Sequence, residues 1–126
     1  FMEYKVGNDI IEVERVESSI QKLGESFLNR VFTPAEIEYC ESKNKMKYQH
    51  YAARFAGKEA IFKAISEFLE NKYEIGWKDI EILNDNKGKP FVSFKKKELS
   101  NIEVDLSLSH LKEYAIATAI ARKEEK

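Results

Sequence analysis

The chain has 126 residues, of which 43% are apolar and 12% aromatic, enough for one hydrophobic core. We predict a single domain over residues 1–126. The 21 Lys and Arg residues are balanced by 22 Asp and Glu residues, and a net charge of −1 argues against a nucleic-acid partner. The single cysteine, Cys40, excludes an intramolecular disulfide and a cysteine metal cluster. No apolar run approaches the roughly 18 residues of a membrane span, so we expect a cytoplasmic protein without a membrane partner.

The N-terminal part of the chain is predicted to form one strand followed by helices. Residues 4–12 combine β-branched side chains with a glycine and are predicted to form a strand that leads into a helix. Apolar residues at spacings of three and four predict that helix over residues 13–23. A short second helix is expected near residues 26–29.

A clear helix start follows at Thr33. Threonine is a good N-cap, proline suits the first helical position, and a glutamate three residues after the cap completes a capping box. We expect this helix to end near residue 42 and residues 43–48 to form a polar loop. The longest periodic segment covers residues 49–70 and is predicted to be a long helix with one broad apolar face.

The second half of the chain changes from a helical period to a period of two. Four strands are predicted, at residues 79–84, 91–94, 104–109 and 114–121. Turn residues join the first two strands and the last two strands, so both pairs are predicted to be hairpins. Helices followed by strands indicate an α+β fold, in which helices pack on one face of an antiparallel sheet.

Asp9 is an acidic residue in an otherwise apolar stretch that includes Val6, Ile10 and Ile11. A charge in such surroundings costs free energy unless it is paired or binds a cation. An exposed aspartate at a strand end, or one that caps a helix, explains the same pattern equally well. Asp9 is therefore a candidate functional residue with a structural alternative.

The long predicted helix carries a group of charges. Glu59 and Lys63 are four residues apart and share a helix face, with Lys58 beside them and Arg54 about one turn earlier. Such a carboxylate flanked by cations is suited to hold Mg²⁺ and phosphate oxygens. The alternative is an ordinary surface pair worth about 0.2–0.5 kcal/mol. Gly57 in the same helix marks either a close approach of another group or simply a weak helix position.

Two further segments carry polar side chains at strand ends. His110 closes the run Ser107-Leu-Ser-His110, where a lone histidine is more often a turn residue than a catalyst. The turn Asn86-Lys-Gly-Lys-Pro90 offers backbone N–H groups and lysines to a phosphate, although it lacks the spacing of a P-loop. A solvated hairpin turn explains this second segment as well.

Taken together, these segments resemble a known family, the holo-[acyl-carrier-protein] synthases, which are the short, single-repeat members of the 4′-phosphopantetheinyl transferase superfamily. The resemblance covers nearly the whole chain. The segments that carry it are Gly7-Asn-Asp-Ile-Ile-Glu-Val-Glu-Arg-Val16, Arg30-Val-Phe-Thr33, Ala53-Arg-Phe-Ala-Gly-Lys-Glu-Ala60 with Lys63, Gly88-Lys-Pro90 and Ser107-Leu-Ser-His110.

The resemblance implies an enzyme that transfers 4′-phosphopantetheine from coenzyme A to a serine of apo acyl carrier protein, releasing 3′,5′-ADP, with Mg²⁺ as cofactor. By position, Asp9 and Glu59 would be the magnesium ligands, and Lys63 would contact the coenzyme A phosphates. Asp9, Glu59 and Lys63 would then form the catalytic group. The base that accepts the serine proton stays open between Glu59 and a water at the metal.

The resemblance also implies how the donor and the assembly are arranged. Arg54, His110 and the segment Gly88-Lys89-Pro90 would lie along the nucleotide of coenzyme A. The family assembles as a homotrimer with active sites between subunits. That arrangement allows Asp9 and Glu59 to meet at one metal although 50 residues separate them in sequence.

Carrier binding is the part of the resemblance with the most departures. Arg15 matches a family position that contacts the acidic carrier protein, but Glu14 stands beside it where relatives often have a basic residue. Asn8 replaces a usual apolar residue, and Gly57 replaces a usual alanine.

A second class of function, a nucleotide-binding module without catalysis, stays open, and so does a purely structural interaction domain. Asp9, Glu59, Lys63 and His110 together favour the enzyme.

Overall fold

The computed structural model describes residues 1–124 and, at residue 72, the backbone alone. Within the described residues, five strands and four α-helices follow one another. They are β1 (Met2–Glu12), α1 (Val13–Leu23), α2 (Glu25–Val31), α3 (Pro34–Glu41), α4 (Lys47–Ile65), β2 (Ile80–Asn84), β3 (Pro90–Phe94), β4 (Ile102–His110) and β5 (Tyr114–Glu124). No helix in this part of the chain is long and apolar enough to cross a membrane.

Three strands form an antiparallel sheet in the order β1-β5-β4, and β2 pairs with β3 in a separate hairpin. Alternate residues of all three sheet strands are exposed, so the sheet has one covered and one open face. Helix α4 packs on the covered face, where buried alanines of the helix meet buried alanines of β5. The α+β prediction, with helices on one face of an antiparallel sheet, is confirmed, and so are both predicted hairpins.

The hydrophobic core lies on both sides of α4. One cluster joins the helix to the sheet and to the β2–β3 hairpin, and the other joins it to α1, α2 and α3. Between residues 51 and 65, Lys63 is the one exposed side chain, while Phe55, Glu59 and Phe62 are half-buried. The open stripe of α4 therefore consists of a few residues at helical spacing, and it includes two of the candidate functional residues.

The long helix differs from its prediction at both ends. It begins at Lys47 instead of residue 49, after a 3₁₀ turn at Asn44–Met46 within the predicted loop. It ends at Ile65 instead of residue 70, and a second 3₁₀ turn, Ser66–Phe68, follows. Phe68 and Leu69 still pack against the core cluster at the sheet. The apolar spacing that predicted the helix therefore continues to Leu69, although the α-helix itself ends at Ile65.

Helix α3 begins at the predicted capping box. The backbone N–H of Thr33 donates to Glu36 Oε1 at 2.8 Å, and the N–H of Glu36 reaches Thr33 Oγ1 at 3.4 Å. The second carboxylate oxygen of Glu36 accepts from the backbone N–H of Ile82 at 2.8 Å, which ties α3 to β2. Because Glu36 is fully buried, its charge requires a cation, and Lys58 Nζ lies 2.7 Å from Oε1.

Strand β1 and helix α4 approach each other most closely at Gly7. A Cβ atom on Gly7 would lie 1.9 Å from the carbonyl oxygen of Ala60 and 2.8 Å from the amide nitrogen of Ala64. Because both atoms belong to a helix backbone, neither can move without displacing the helix. The absence of a side chain at Gly7 therefore allows α4 to pack closely against β1, the strand that carries Asp9.

We expect Gly7→Ala to lower the free energy of unfolding by about 1–3 kcal/mol, the usual cost of overpacking a tight contact. Gly57→Ala is the matched control, since its Cβ would meet only side-chain methyls, Ile82 Cδ1 at 2.7 Å and Leu108 Cδ2 at 3.1 Å. Alanine also gains about 1 kcal/mol of helix propensity there. Urea unfolding of both variants checks the prediction, which fails if Gly7→Ala is the more stable of the two.

Candidate active site

Two carboxylates from distant parts of the sequence line one cavity. Asp9 on β1 and Glu59 on α4 share a cavity of about 280 Å³ with Arg15 of α1. Lys63, one turn after Glu59, places its Nζ 3.0 Å from Asp9 Oδ1 and donates to the carbonyl oxygen of Asn8 at 2.9 Å. Among the described residues Lys63 forms its ion pair with Asp9 across the helix–strand contact, and not with Glu59 as an i,i+4 surface pair would require.

The ionised form of Glu59 is disfavoured in this cavity. Burial and the neighbouring Asp9 carboxylate raise the pKa of Glu59, and Lys63 only partly opposes this shift. Within residues 1–124, no group of three or more His, Cys, Asp and Glu side chains is arranged to hold a metal. Magnesium does not need one, because it is often held by one or two carboxylates and completes its shell with water and substrate phosphates. Asp9 and Glu59 therefore fit a magnesium ion bound together with a phosphorylated substrate.

Arg54 lies outside this cavity. Its side chain is buried, its guanidinium carbon stands 4.0 Å from the centroid of the Tyr39 ring, and Nη2 donates to Asn84 Oδ1. Its Nε is buried without a hydrogen-bond partner among the described residues. Asn84 in turn donates to the carbonyl oxygen of Gly88 at 2.9 Å, so Arg54 is connected to the β2–β3 turn.

The prediction that Lys58 and Arg54 flank Glu59 on one helix face is therefore wrong. Lys58 points into the protein, where its ammonium group pairs with Glu36, and Arg54 points towards Tyr39. The reason is that α4 is covered on nearly all sides, so that long cationic side chains also extend inwards. Lys63 remains the cation that reaches the acidic cavity from this helix.

His110 belongs to the same group as Arg54. Its Nδ1 lies 2.9 Å from Gln49 Oε1, and its ring packs edge-on against His50 with centroids 4.9 Å apart. His50 contacts Tyr39 in turn, at 5.7 Å between centroids. These contacts form a continuous row of packed side chains, made of Arg54, Tyr39, His50 and His110.

Sequence reasoning missed Gln49, His50, Tyr39 and Asn84. One signal was available, since His50 lies four residues before Arg54 and must share its face of the helix. The contact between His50 and His110, by contrast, joins α4 to the end of β4 and has no local signature. Tyr39 and Asn84 reach the group from α3 and β2.

The two groups lie on opposite sides of α4. Asp9 pairs with Ala117 on one edge of β5, and His110 pairs with Ala115 on the other edge. At about 4.8 Å per strand, β1 and β4 are roughly 10 Å apart. Helix α4 lies across the sheet between them, with Lys63 reaching Asp9 and Gln49 reaching His110. The structure thus brings Asp9, Glu59, Lys63 and Arg15 together and places Arg54, Gly88 and His110 in a separate group.

The remaining candidates lie at the open face of the sheet. Lys89 and Pro90 line a shallow cleft of about 470 Å³ together with residues of β4 and β5, including Ser107 and Thr118. Gly88 has a φ of 82°, which favours glycine at this turn. Asn8, the polar departure at the site, donates to Thr118 Oγ1 at 2.7 Å and to the carbonyl oxygen of Ala117 at 3.0 Å, so its amide is satisfied across the sheet.

The chain has an α+β fold, two carboxylates in one cavity, a lysine paired with one of them and a second cationic group nearby. These are features of an enzyme that acts on a phosphorylated substrate. Residues 5–119 match the model of the 4′-phosphopantetheinyl transferase superfamily. The chain belongs to the 4′-phosphopantetheinyl transferase superfamily.

Similar proteins cover the chain almost completely. A holo-[acyl-carrier-protein] synthase of Ruminiclostridium cellulolyticum is 46% identical over 125 residues, which cover 94% of this chain and 92% of that protein. One of Protochlamydia amoebophila is 45% identical over 118 residues, covering 91% of this chain and 94% of that protein. The resemblance predicted from the sequence motifs is thereby confirmed.

Solved structures agree with the fold. A holo-(acyl-carrier-protein) synthase of Bacillus anthracis in complex with CoA (3′,5′-ADP) superimposes with a TM-score of 0.81 at 33% identity, over 98% of this chain and 100% of that one. An ACPS–CoA complex of Chronobacterium ammoniagenes gives a TM-score of 0.83 at 25% identity, over 98% of this chain and 99% of that one.

Proposed function

We propose that this protein is a holo-[acyl-carrier-protein] synthase. It transfers the 4′-phosphopantetheine group of coenzyme A to a serine of apo acyl carrier protein, giving the holo carrier and 3′,5′-ADP, in support of fatty acid biosynthesis. The observation that carries the proposal is the convergence of Asp9 and Glu59 on one cavity, with Lys63 paired to Asp9, in a member of this superfamily. The proposal treats residues 1–126 as one domain in the cytoplasm, in line with the single, reduced and buried Cys40.

The reaction explains why these side chain types are needed. The serine oxygen attacks the phosphorus that bears the pantetheine, the bond from that phosphorus to the bridging oxygen breaks, and 3′,5′-ADP leaves with the bond's electron pair. The hydroxyl proton passes to a base, either Glu59 or a water molecule in the cavity. Negative charge grows on the bridging oxygen as it becomes part of the 5′-phosphate of the leaving 3′,5′-ADP, so cations must be close to it.

Asp9 and Glu59 would hold a magnesium ion, which supplies positive charge to the diphosphate oxygens when it is bound. Lys63 supplies the same kind of charge from the chain itself. In the structure, its ammonium group lies 3.0 Å from Asp9 and neutralises that carboxylate. We propose that this ammonium group turns to the donor phosphates once a metal neutralises the carboxylates.

The donor nucleotide and the assembly are proposed together. Arg54, His110 and Gly88-Lys89-Pro90 would bind the nucleotide of coenzyme A, yet within one chain they lie across α4 from Asp9. The open face of the sheet supports association, because Val6 is 66% exposed and Ile10 62% exposed. These side chains pair in register with the exposed Ile120 and Ile116 of β5. We therefore propose a homotrimer with active sites between subunits, in which one subunit's His110 serves the neighbouring Asp9.

The direct test of the proposed function is intact-mass spectrometry of an apo acyl carrier protein after incubation with the protein, coenzyme A and Mg²⁺. A gain of one phosphopantetheine group is expected, with release of 3′,5′-ADP. A chelator should abolish the gain, and excess Mg²⁺ should restore it. Binding of coenzyme A without any mass gain on the carrier would instead identify a nucleotide-binding module.

For Lys63→Met we expect the KM for coenzyme A to rise about tenfold to a hundredfold, the range for one charge-assisted hydrogen bond. The substitution removes the ammonium group that we propose to contact the donor phosphates. Steady-state kinetics with varied coenzyme A measures the effect. Lys5→Met is the control, because Lys5 pairs with Glu67 at 4.0 Å outside the cavity. An unchanged KM in Lys63→Met would show that Lys63 serves only the fold.

For Arg15→Glu we expect a higher KM for the carrier with little change in the KM for coenzyme A. Arg15 is exposed on α1 at the cavity that holds both carboxylates, where an acidic carrier must deliver its serine. Lys22→Glu applies the same charge change near the other end of α1 and should have a smaller effect. If both variants raise the carrier KM equally, carrier binding depends on the net charge of the protein and Arg15 has no special role.

A further inference from the structure

We infer that Gln49 is a positioning residue for His110, fixing which imidazole nitrogen carries the hydrogen and leaving Nε2 free to face the donor. The inference rests on the proposed function, because it assigns the role of Gln49 through the contact of His110 with the nucleotide. Gln49 belongs to none of the segments that carry the family resemblance.

The hydrogen bond between these residues is the first observation. His110 Nδ1 lies 2.9 Å from Gln49 Oε1, and both side chains are half-buried. The other end of the Gln49 amide is also held, since Nε2 contacts Met46 Sδ at 3.6 Å. With the amide nitrogen at the sulfur, the amide oxygen faces the ring, so His110 must carry its hydrogen on Nδ1.

Packing supplies a second, independent constraint. The ring of His50 stands edge-on against His110, with centroids 4.9 Å apart, and blocks rotation from that side. Burial, together with His110, Lys43 and Arg54, lowers the pKa of His50 to about 4. His50 is therefore neutral near pH 7 and restrains His110 without adding a competing positive charge.

The choice of an amide has a chemical consequence. Gln49 accepts from Nδ1–H whether His110 is neutral or protonated, so the ring keeps its orientation while Nε2 gains or loses a proton. A carboxylate in the same place would cancel the charge of a protonated ring, whereas an amide leaves that charge available to an anion. Among the described residues, Nδ1 makes the one hydrogen bond of the His110 ring, and Nε2 has none.

The test combines NMR of the histidine rings with kinetics. The chain has two histidines, and a His50→Phe background leaves only the His110 signals to assign. We expect ¹⁵N spectra to show hydrogen on Nδ1 with Gln49 present, a shift towards the Nε2–H form in Gln49→Leu, and recovery of the Nδ1–H form in Gln49→Glu. Gln49→Leu should also raise the KM for coenzyme A about tenfold, equivalent to ~1.4 kcal/mol, with kcat and the carrier KM nearly unchanged.

Gln21→Leu on α1 is the matched control, because the exposed Gln21 bonds only Glu17, outside the site, and should leave both readouts at their wild-type values. Gln49→Ala replaces Gln49→Leu if the larger side chain prevents folding. An unchanged ring hydrogen in Gln49→Leu overturns the inference, and so does a loss of kcat equal to the rise in KM. Absence of transferase activity in the wild-type protein would refute the proposed function alone, since the NMR result is obtained without any substrate.

Discussion

Replacing Asp9 by asparagine, or Glu59 by glutamine, is expected to lower kcat/KM for phosphopantetheine transfer by at least about 10²–10³-fold. Each change removes one of the two negative charges that would hold magnesium while keeping the size of the side chain. Both carboxylates line the same cavity, so each is expected to supply one ligand to the metal. Transfer assays with coenzyme A varied at a fixed carrier concentration, repeated at several Mg²⁺ concentrations, measure both kcat/KM and the metal requirement.

Measurements of stability distinguish a loss of transfer activity caused by the missing charge from a loss caused by misfolding. Because burial and Asp9 raise the pKa of Glu59, its ionised form disfavours folding at pH values above that pKa, and the cost disappears below the ordinary pKa of a glutamate. Glu59→Gln should therefore be at least as stable as the wild-type protein at pH 7, and lose that advantage in acid. Glu38→Gln, an exposed change on α3, should alter neither property. Near-normal turnover in Asp9→Asn or Glu59→Gln would refute the assignment of these carboxylates.

Replacing Lys58 by methionine is expected to lower the free energy of unfolding by about 3–5 kcal/mol, the cost of stranding a buried charge. The Lys58 ammonium group lies 2.7 Å from Glu36 and donates to the carbonyl oxygens of Val31 at 2.8 Å and Trp77 at 3.0 Å. Burial lowers the pKa of Lys58, and Glu36 opposes that shift. Chemical denaturation with a two-state fit measures the loss.

Two further variants show whether the loss of stability in Lys58→Met comes from the buried unpaired charge. The double variant Lys58→Met, Glu36→Gln removes both charges and should recover part of the stability, because no unpaired carboxylate remains. Lys47→Met breaks an exposed pair, Lys47–Glu41 at 3.3 Å, and should cost no more than about 1 kcal/mol. Equal losses in Lys58→Met and Lys47→Met would show that the buried pair does not anchor α3 and α4.

Local signals predicted much of the fold. The capping box at Thr33, the period of α1 and the two alternating hairpins are each encoded within a few neighbouring residues, and each appears in the structure. Asp9 was also a sound candidate, because an acid among apolar residues requires a partner. The structure supplies that partner as Lys63, 54 residues further along the chain.

The remainder depends on contacts that no local pattern contains. A helical period tells which residues share a face, but not which faces are covered, so Lys58 and Arg54 were predicted beside Glu59 although both are buried. Gln49 and His50 have no chemical motif of their own. They acquire a role because α4 crosses the end of β4 at His110, a relation set by the packing of the whole sheet.

The most direct test of the account is a crystal structure of the protein with coenzyme A and Mn²⁺, which replaces Mg²⁺ at carboxylate sites and scatters anomalously. The account predicts one anomalous peak, with a carboxylate oxygen of Asp9 and one of Glu59 each about 2.1 Å away, in contact with the diphosphate. A structure with coenzyme A bound, the two carboxylates turned apart and no cation between them would contradict it.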